Sequence, residues 1–425
     1  MRKFAFYVIV VFAAGLSLYS CKKNKSSGPA SSFTPLLPAS SGWQKVGTVK
    51  YTYTTVGFSG YNKMTPEELQ KVGDELHILY SEDYQLSGVI GRDFYKGHLK
   101  PGTNDTAAIT KLVMGSGTNR DTYSGLFQQR LVPGTADAIV LKYFTNPSPY
   151  GYLGILNEAG TMLSSHFVGH PSLQTKIYSN GDVSSGAIDY SDYAEMDFYN
   201  KATNTWTYVK GTSHDTTTLV NYTPFRLPDG TLCAFNVTYK SGKTYLSIAN
   251  PSGATYPTPL YHSLFLQEMP GLAYDYFAER GPYLVASCQD ENTFTIVIGK
   301  GTQTTNYPTK LYAYKWTKNE LSFTTLYTEV TLTEAEGTAF NSPATHCLPD
   351  GTAYRWNLSL DALSGNVLTA DATGVHRYGQ ITLPTNTGIG AVTYIDGGYY
   401  GVAYPYSDQF DTDHKLRMDI VKLIK

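Results

Sequence analysis

The chain has 425 residues, enough for two or three ordinary domains or for one large all-β domain. Its 33 Lys and Arg against 35 Asp and Glu give a formal charge of -2, which excludes the basic footprint of a nucleic-acid binder and a polybasic membrane patch. Only 16% of residues are charged, and the 36 Tyr and 39 Gly join Thr and Val in turn-punctuated runs that favour strands over helices.

In chain order, residues 1–20 form the first element. Arg2 and Lys3 precede an apolar or small-residue run over 4–18, which has the length of a signal-peptide core and is shorter than the roughly 20 residues of a spanning helix. The run ends in Leu18-Tyr19-Ser20-Cys21. A Leu three residues before a Cys, with a small residue directly before it, resembles the lipobox of bacterial lipoproteins; Tyr19 stands where that family usually has a small or aliphatic residue. The resemblance implies cleavage before Cys21 and a diacylglycerol on its thiol, making Cys21 the expected lipid-attachment residue and the membrane a partner through that lipid. Lys22, where inner-membrane lipoproteins of Gram-negative bacteria carry Asp, implies the outer membrane, with either face open. A plain secretory signal or a short anchor is the alternative. Residues 21–42 are rich in Ser, Pro, Gly and Lys without hydrophobic periodicity, and the composition predicts a disordered tether.

Residues 43–425 repeat loosely. LPDGTLCAF at 227–235 and LPDGTAYRW at 348–356 are strand–turn–strand signatures, and LVPGTADAI at 131–139 is a third copy. Turn glycines recur at Gly73, Gly134, Gly181, Gly230, Gly281, Gly351 and Gly397, spaced 46 to 70 residues apart. Units of that size, each read as four short strands, predict one all-β domain over 43–425: a β-propeller, seven-bladed on this count, with six or eight open. The rival is a pair of β-sandwich domains, which would need a mid-chain linker that the composition does not show. The last unit is one strand short, and 43–58 is expected to complete it beside 416–424. One segment breaks the pattern: Thr65-Pro66-Glu67-Glu68 has a capping threonine, Pro at the first helical position and a capping-box Glu, which predicts a short inserted helix over 65–72.

Chemistry is sparse. No nucleophile elbow, HExxH, Walker A or dinucleotide fingerprint occurs. His166 and His170 have HxxxH spacing, but SSHFVGHPS is a poor helix, and strand residues four apart lie about 13 Å from each other, too far to share an ion. Cys233, Cys288 and Cys347 lack CxxC spacing and read as buried strand residues, with one disulfide plus a leftover thiol as the alternative. Asp408, Asp411 and Asp413 read as a solvated turn, and Asp189, Asp192, Glu195 and Asp197 as an acidic loop. Residues 238–245, TYKSGKTY, keep only the end of a sialidase-type Asp-box, with Lys240 in place of its carboxylate. No catalytic residue, cofactor or metal ligand is assigned. The aromatic surplus offers Tyr354, Trp356, Tyr399 and Tyr400 as candidate ligand contacts, since Tyr and Trp combine apolar area with a polar tip. The alternation in GYYGVAYPY equally suits the packed face of a strand. Two functions are carried forward: a lipid-anchored binding or scaffold module for a glycan, peptide or envelope protein, or a carbohydrate-active hydrolase or lyase with its site at the propeller axis.

Overall fold

Turn chemistry and period-two alternation set the architecture. The computed structural model describes residues 43–52, 63–86, 89–101, 108–112, 127–131, 138–144, 150–156, 162–168, 174–177, 182–188, 193–213, 223–226, 232–249, 263–275, 277–289, 293–317, 320, 322–342, 344–359, 364–384, 387–406 and 415–423. Among them the fold is all-β apart from one short helix, and the strands form seven four-stranded antiparallel sheets. Sheet I runs Lys63–Val72, Glu75–Leu86, Val89–Leu99 and Ala108–Leu112, and sheet II runs Phe127–Leu131, Ala138–Phe144, Tyr150–Leu156 and Met162–Val168. Sheet III holds Gln174–Ile177, Val183–Ile188, Tyr193–Asn200 and Thr205–Ser213; sheet IV holds Thr223–Arg226, Leu232–Lys240, Lys243–Ala249 and Ser263–Ala273. Sheet V comprises Glu279–Gln289, Thr293–Thr302, Lys310–Thr317 and Ser322–Thr331; sheet VI comprises His346–Cys347, Ala353–Ser359, Ser364–Asp371 and Gly374–Thr382. Sheet VII takes Ala391–Asp396, Tyr399–Tyr406 and Lys415–Leu423 from the end of the chain and Trp43–Thr52 from its beginning, with Trp43 opposite Leu423 and Thr52 opposite Lys415. The expected pairing of 43–58 with 416–424 is therefore present over these residues.

Gly73, Gly351 and Gly397 lie in the first hairpin turns of sheets I, VI and VII, all with positive φ. Gly134, Gly181 and Gly230 fall outside the described residues. Gly281 departs from the series: it lies inside Glu279–Gln289, at a bulge between Arg280 and Tyr283, with φ 101°.

The segment 65–72 is a strand, correcting the helix expected there. Lys63–Val72 pairs with Glu75–Leu86 through the two-residue turn at Gly73 and Asp74. A bulge between Pro66 and Glu68 puts Met64 and Leu69 into the same core cluster, so an odd spacing hides a period of two. Pro66 is tolerated because this is the first strand of its sheet, hydrogen-bonded on one side only. Glu68, read as the capping-box residue, instead lies in the strand opposite Leu79, and its neighbour Glu67 accepts a 2.8 Å hydrogen bond from Ser81 Oγ. The same T-x-x-E signature is a true capping box at Thr333: its hydroxyl accepts from Glu336 N, and Glu336 Oε2 accepts from Thr333 N, opening the helix Glu334–Phe340. Among the described residues no helix is long and apolar enough to cross a membrane.

The core lies between sheets. Separate apolar clusters fill the seams between IV and V, V and VI, VI and VII, and VII and I. The middle strands Thr293–Thr302, Ser364–Asp371 and Tyr399–Tyr406 are therefore buried on both faces. In Tyr399–Tyr406, Tyr400, Val402, Tyr404 and Tyr406 join the seam with sheet VI, while Ala403 joins the seam with sheet I, where Gly401 leaves room for Leu69. Along this strand large residues face one seam and small ones the other. Trp356, 3% exposed, anchors the VI–VII seam, edge-on to Trp43 at 5.8 Å and stacked on Tyr404 at 6.3 Å. Its ring lies over Gly365, where a Cβ would come within 2.2 Å of it. Trp356→Ala is expected to destabilise the protein by about 3–5 kcal/mol, with Gly365→Ala also destabilising, as read by denaturant unfolding; a cost below about 1 kcal/mol for Trp356→Ala would contradict this packing.

Candidate site at the loop end of the sheets

The two ends of the sheets carry different chemistry. One end, the turn end, holds the first-hairpin turns at Gly73, Gly351 and Gly397. Trp43 belongs to it, since the register row Trp43, Leu423, Tyr400 ends beside the turn at Gly397 and Gly398. The other, the loop end, holds the described residues of the connections 274–278, 332–345 and 383–390 between successive sheets, and loop 303–309 within sheet V. The two exposed large hydrophobics among the described residues, Phe277 (88%) and Ile389 (54%), both lie in these connections.

Polar contacts brace this end of sheet V. Lys300, the one charged residue of its strand, sends its ammonium to Glu279 Oε1 at 2.8 Å and donates to the Ala273 carbonyl of sheet IV. The same ammonium stands 5.7 Å from the Tyr312 ring centroid. Burial, with smaller contributions from Glu329 and Glu279, pushes the Tyr312 hydroxyl up to about 12. Connection 274–278 is shaped by its own aspartate. Asp275 Oδ1 accepts from Phe277 N at 2.9 Å, its carbonyl accepts from Glu279 N at 2.8 Å, and its N–H donates to Glu279 Oε2 at 2.9 Å. Loop 303–309 is tied in by Gln303 Nε2, which donates to the Glu279 carbonyl at 2.6 Å.

One residue on, strand alternation turns Arg280 toward sheet VI. Its Nη1 donates to Asn306 Oδ1 at 2.5 Å and to the Thr305 carbonyl at 3.4 Å. Asn306 is held in turn by Asn341, the helix C-cap, whose Nδ2 donates to the Asn306 carbonyl at 2.7 Å. The helix is wedged in place: a Cβ on Gly337 would lie 2.2 Å from the Pro308 carbonyl oxygen. From sheet VI, Arg355 donates through Nη1 to the Ala339 carbonyl at 2.6 Å and through Nε to the Trp356 carbonyl at 3.2 Å. Burial lowers the Arg355 pKa from its ordinary value. Arg377 Nη2 approaches Glu336 Oε1 at 3.9 Å at the other end of the helix.

The aromatic residues singled out in the sequence lie elsewhere. Tyr354, Trp356 and Tyr400 are brought together, with Tyr354 and Tyr400 rings 5.4 Å apart, but all three are buried in the VI–VII seam. With no more than 7% of each exposed, they pack the core and offer no platform to a ligand. Tyr399 keeps a partly exposed ring at the turn end, with Lys422 Nζ 4.2 Å from its centroid. Cys347 is buried, its Sγ 4.0 Å from the Thr295 carbonyl oxygen, and Cys288 is half-buried against the same cluster. Cys21, His170, Asp189, Asp192, Asp408, Asp411 and Asp413 fall outside the described residues; His166, Glu195, Asp197 and Cys233 lie in strands. Among the described residues no three of His, Cys, Asp and Glu converge as metal ligands would. Sequence reading missed Arg280, Asn306, Asn341 and Arg355, and the one available signal was the capping box at Thr333 that builds the helix between them.

No family model and no curated protein matches the chain. Its fold is similar to several solved structures. The polysaccharide lyase Uly1 has 9% identity and TM-score 0.44, covering 84% of this chain and 90% of that one. Sqt1 of Saccharomyces cerevisiae has 8% identity and TM-score 0.36, covering 88% and 100%. The GH43 β-1,3-galactosidase BT0265 has 10% identity and TM-score 0.26, covering 83% and 55%. At such identities and scores these likenesses carry no weight for function.

The Glu279–Lys300 pair makes an asymmetric prediction. Lys300 is the more buried partner, with 6% of its side chain exposed against 29% for Glu279. Glu279→Gln leaves a buried ammonium short of its counter-charge and is expected to cost about 3 kcal/mol. Lys300→Met removes the buried charge itself and is expected to cost less, and the double variant no more than Glu279→Gln alone. Urea midpoints of the three variants check this order, and equal costs for the two single variants would contradict it.

Proposed function

We propose that this protein is a lipid-anchored β-propeller of the bacterial outer membrane, seven-bladed, and that it works as a binding module whose loop end meets a glycan, peptide or envelope protein. Seven four-stranded antiparallel sheets, with a last sheet drawn from both chain ends, support the propeller. So does the apolar cluster that joins sheet VII to sheet I. The lipobox-like Leu18-Tyr19-Ser20-Cys21 supports the anchor.

The observation that carries the binding role is the position of Trp43. Its register puts Trp43 at the turn end of sheet VII, and in this reading the tether enters there. A chain held from that end presents the connections 274–278, 332–345 and 383–390 away from the point of attachment. These connections carry the exposed Phe277 and Ile389 on braced loops, so a partner meets apolar contacts whose ordering cost is already met.

Affinity electrophoresis of the mature, full-length protein through acidic and neutral polysaccharides tests this function. Retarded migration without new reducing ends or unsaturated products is expected, and Phe277→Ala should weaken it roughly five- to tenfold. Depolymerisation of a polysaccharide would replace the binding module with the carbohydrate-active enzyme. For the anchor, Cys21→Ala is expected to move the protein from the membrane fraction to the soluble one, and mass spectrometry of the wild-type N-terminus should find a diacylglyceryl cysteine. A mature chain beginning elsewhere would refute it.

A further inference from the structure

The seam between sheets V and VI holds two arginines whose hydrogen-bond partners, among the described residues, are all neutral. Arg280 uses Nη1 on Asn306 and Thr305, and Arg355 uses Nη1 and Nε on the carbonyls of Ala339 and Trp356. Both are tied to the same place. Arg280 reaches the helix C-cap Asn341 through Asn306, and Arg355 grips the carbonyl of Ala339 two residues earlier. The Nη2 groups of both, and Nε of Arg280, make no hydrogen bond among the described residues.

Nearby carboxylates are committed elsewhere. Glu279 is held by Lys300 and the Asp275 N–H, Asp275 by the Phe277 N–H, and Glu336 by Thr333 N and Arg377. Arg280 is exposed, whereas Arg355 is half-buried, and a guanidinium even partly taken from water without an anion is costly. Helix carbonyls offset part of that cost, because the C-terminal end of a helix carries partial negative charge. The alternative role, capping of the helix by Arg355, accounts for Nη1 of that residue. It does not account for a second arginine, on another sheet, held in position by a chain of neutral amides.

We infer that Arg280 and Arg355 form an oxyanion-binding site on the V–VI seam, one that takes a carboxylate or sulfate group of the ligand met by the loop end. The identity of the ligand-bearing end rests on the proposed function; the anion site does not depend on what macromolecule carries the group. Arg280, pre-positioned by Asn306, would supply a planar two-donor edge of the kind that suits a carboxylate or sulfate. Arg355 would supply charge from a less hydrated position, where each contact counts for more.

Isothermal titration of the mature, full-length protein with glucuronate, glucose 6-sulfate and glucose tests the inference. Saturable binding of at least one charged sugar is expected, with none of glucose, and whichever binds identifies the group. Arg280→Gln should weaken it at least tenfold at an unchanged urea midpoint, Arg280→Lys should recover part of the loss, and raising salt from 50 to 300 mM should weaken wild-type binding. Arg355→Gln tests the second cation where the variant keeps its unfolding midpoint. Absence of binding by both charged sugars, equal binding of glucose, or wild-type affinity in Arg280→Gln would overturn the site. Anion binding without retention by any polysaccharide would leave the site standing and remove the glycan reading. Retention that survives Arg280→Gln would keep the binding module and remove this site from it.

Discussion

The strand Thr293–Thr302 has neither face in water. Phe294, Ile296 and Ile298 enter the seam with sheet IV, while Val297 enters the seam with sheet VI. Ser364–Asp371 and Tyr399–Tyr406 are buried in the same two-sided way. A small antiparallel sheet with two apolar faces is unstable alone, and hiding both faces takes a neighbour on each side. That requirement orders the rest: sheet follows sheet, and the first and last strands of the described chain must meet so that sheet VII is complete. The pairing of Trp43–Thr52 with Lys415–Leu423 meets that need, and the cluster between sheets VII and I extends it.

Two-sided burial also explains why the sequence is rich in tyrosine yet poor in charge. With both faces packed, a strand carries apolar residues at every position, and Tyr400, Val402 and Tyr404 on one face alternate with Gly401 and Ala403 on the other. Two charges in the described seams show how a partner is built for them. Lys300 has Glu279 and the Ala273 carbonyl, and Asp419, fully buried, has Lys45 at 3.0 Å and the Thr48 hydroxyl at 2.8 Å. Both ties join different strands or sheets, so each adds registry to its seam as well as attraction.

The first hairpins of sheets I, VI and VII were legible in the sequence because turn glycines and alternation are local signals. Gly73, Gly351 and Gly397 mark turns for that reason, and Gly281 misleads because a bulge also calls for positive φ. The two T-x-x-E motifs show where local reading ends: capping chemistry is identical at Thr65 and Thr333, and tertiary pairing decides between strand and helix. Tyr354, Trp356 and Tyr400 could not be sorted into core or surface from alternation alone, since both roles use the same period. The loop-end cluster was illegible for a different reason. Arg280, Asn306, Asn341 and Arg355 are spread over some 75 residues in sequence and meet only because two sheets and a wedged helix bring them to one seam.

The proposed function rests on the difference between the two ends of the sheets. The turn end carries short, tight turns and Trp43, the first described residue; the loop end carries the connections between sheets, exposed apolar side chains and the two arginines. Hydrogen–deuterium exchange of the mature protein with and without a retained polysaccharide distinguishes the ends directly. Protection is expected across 274–280, 303–309 and 334–345, with no change at 348–352 or 397–398. Protection centred on those turns instead, or spread evenly over the chain, would contradict a ligand site at the loop end.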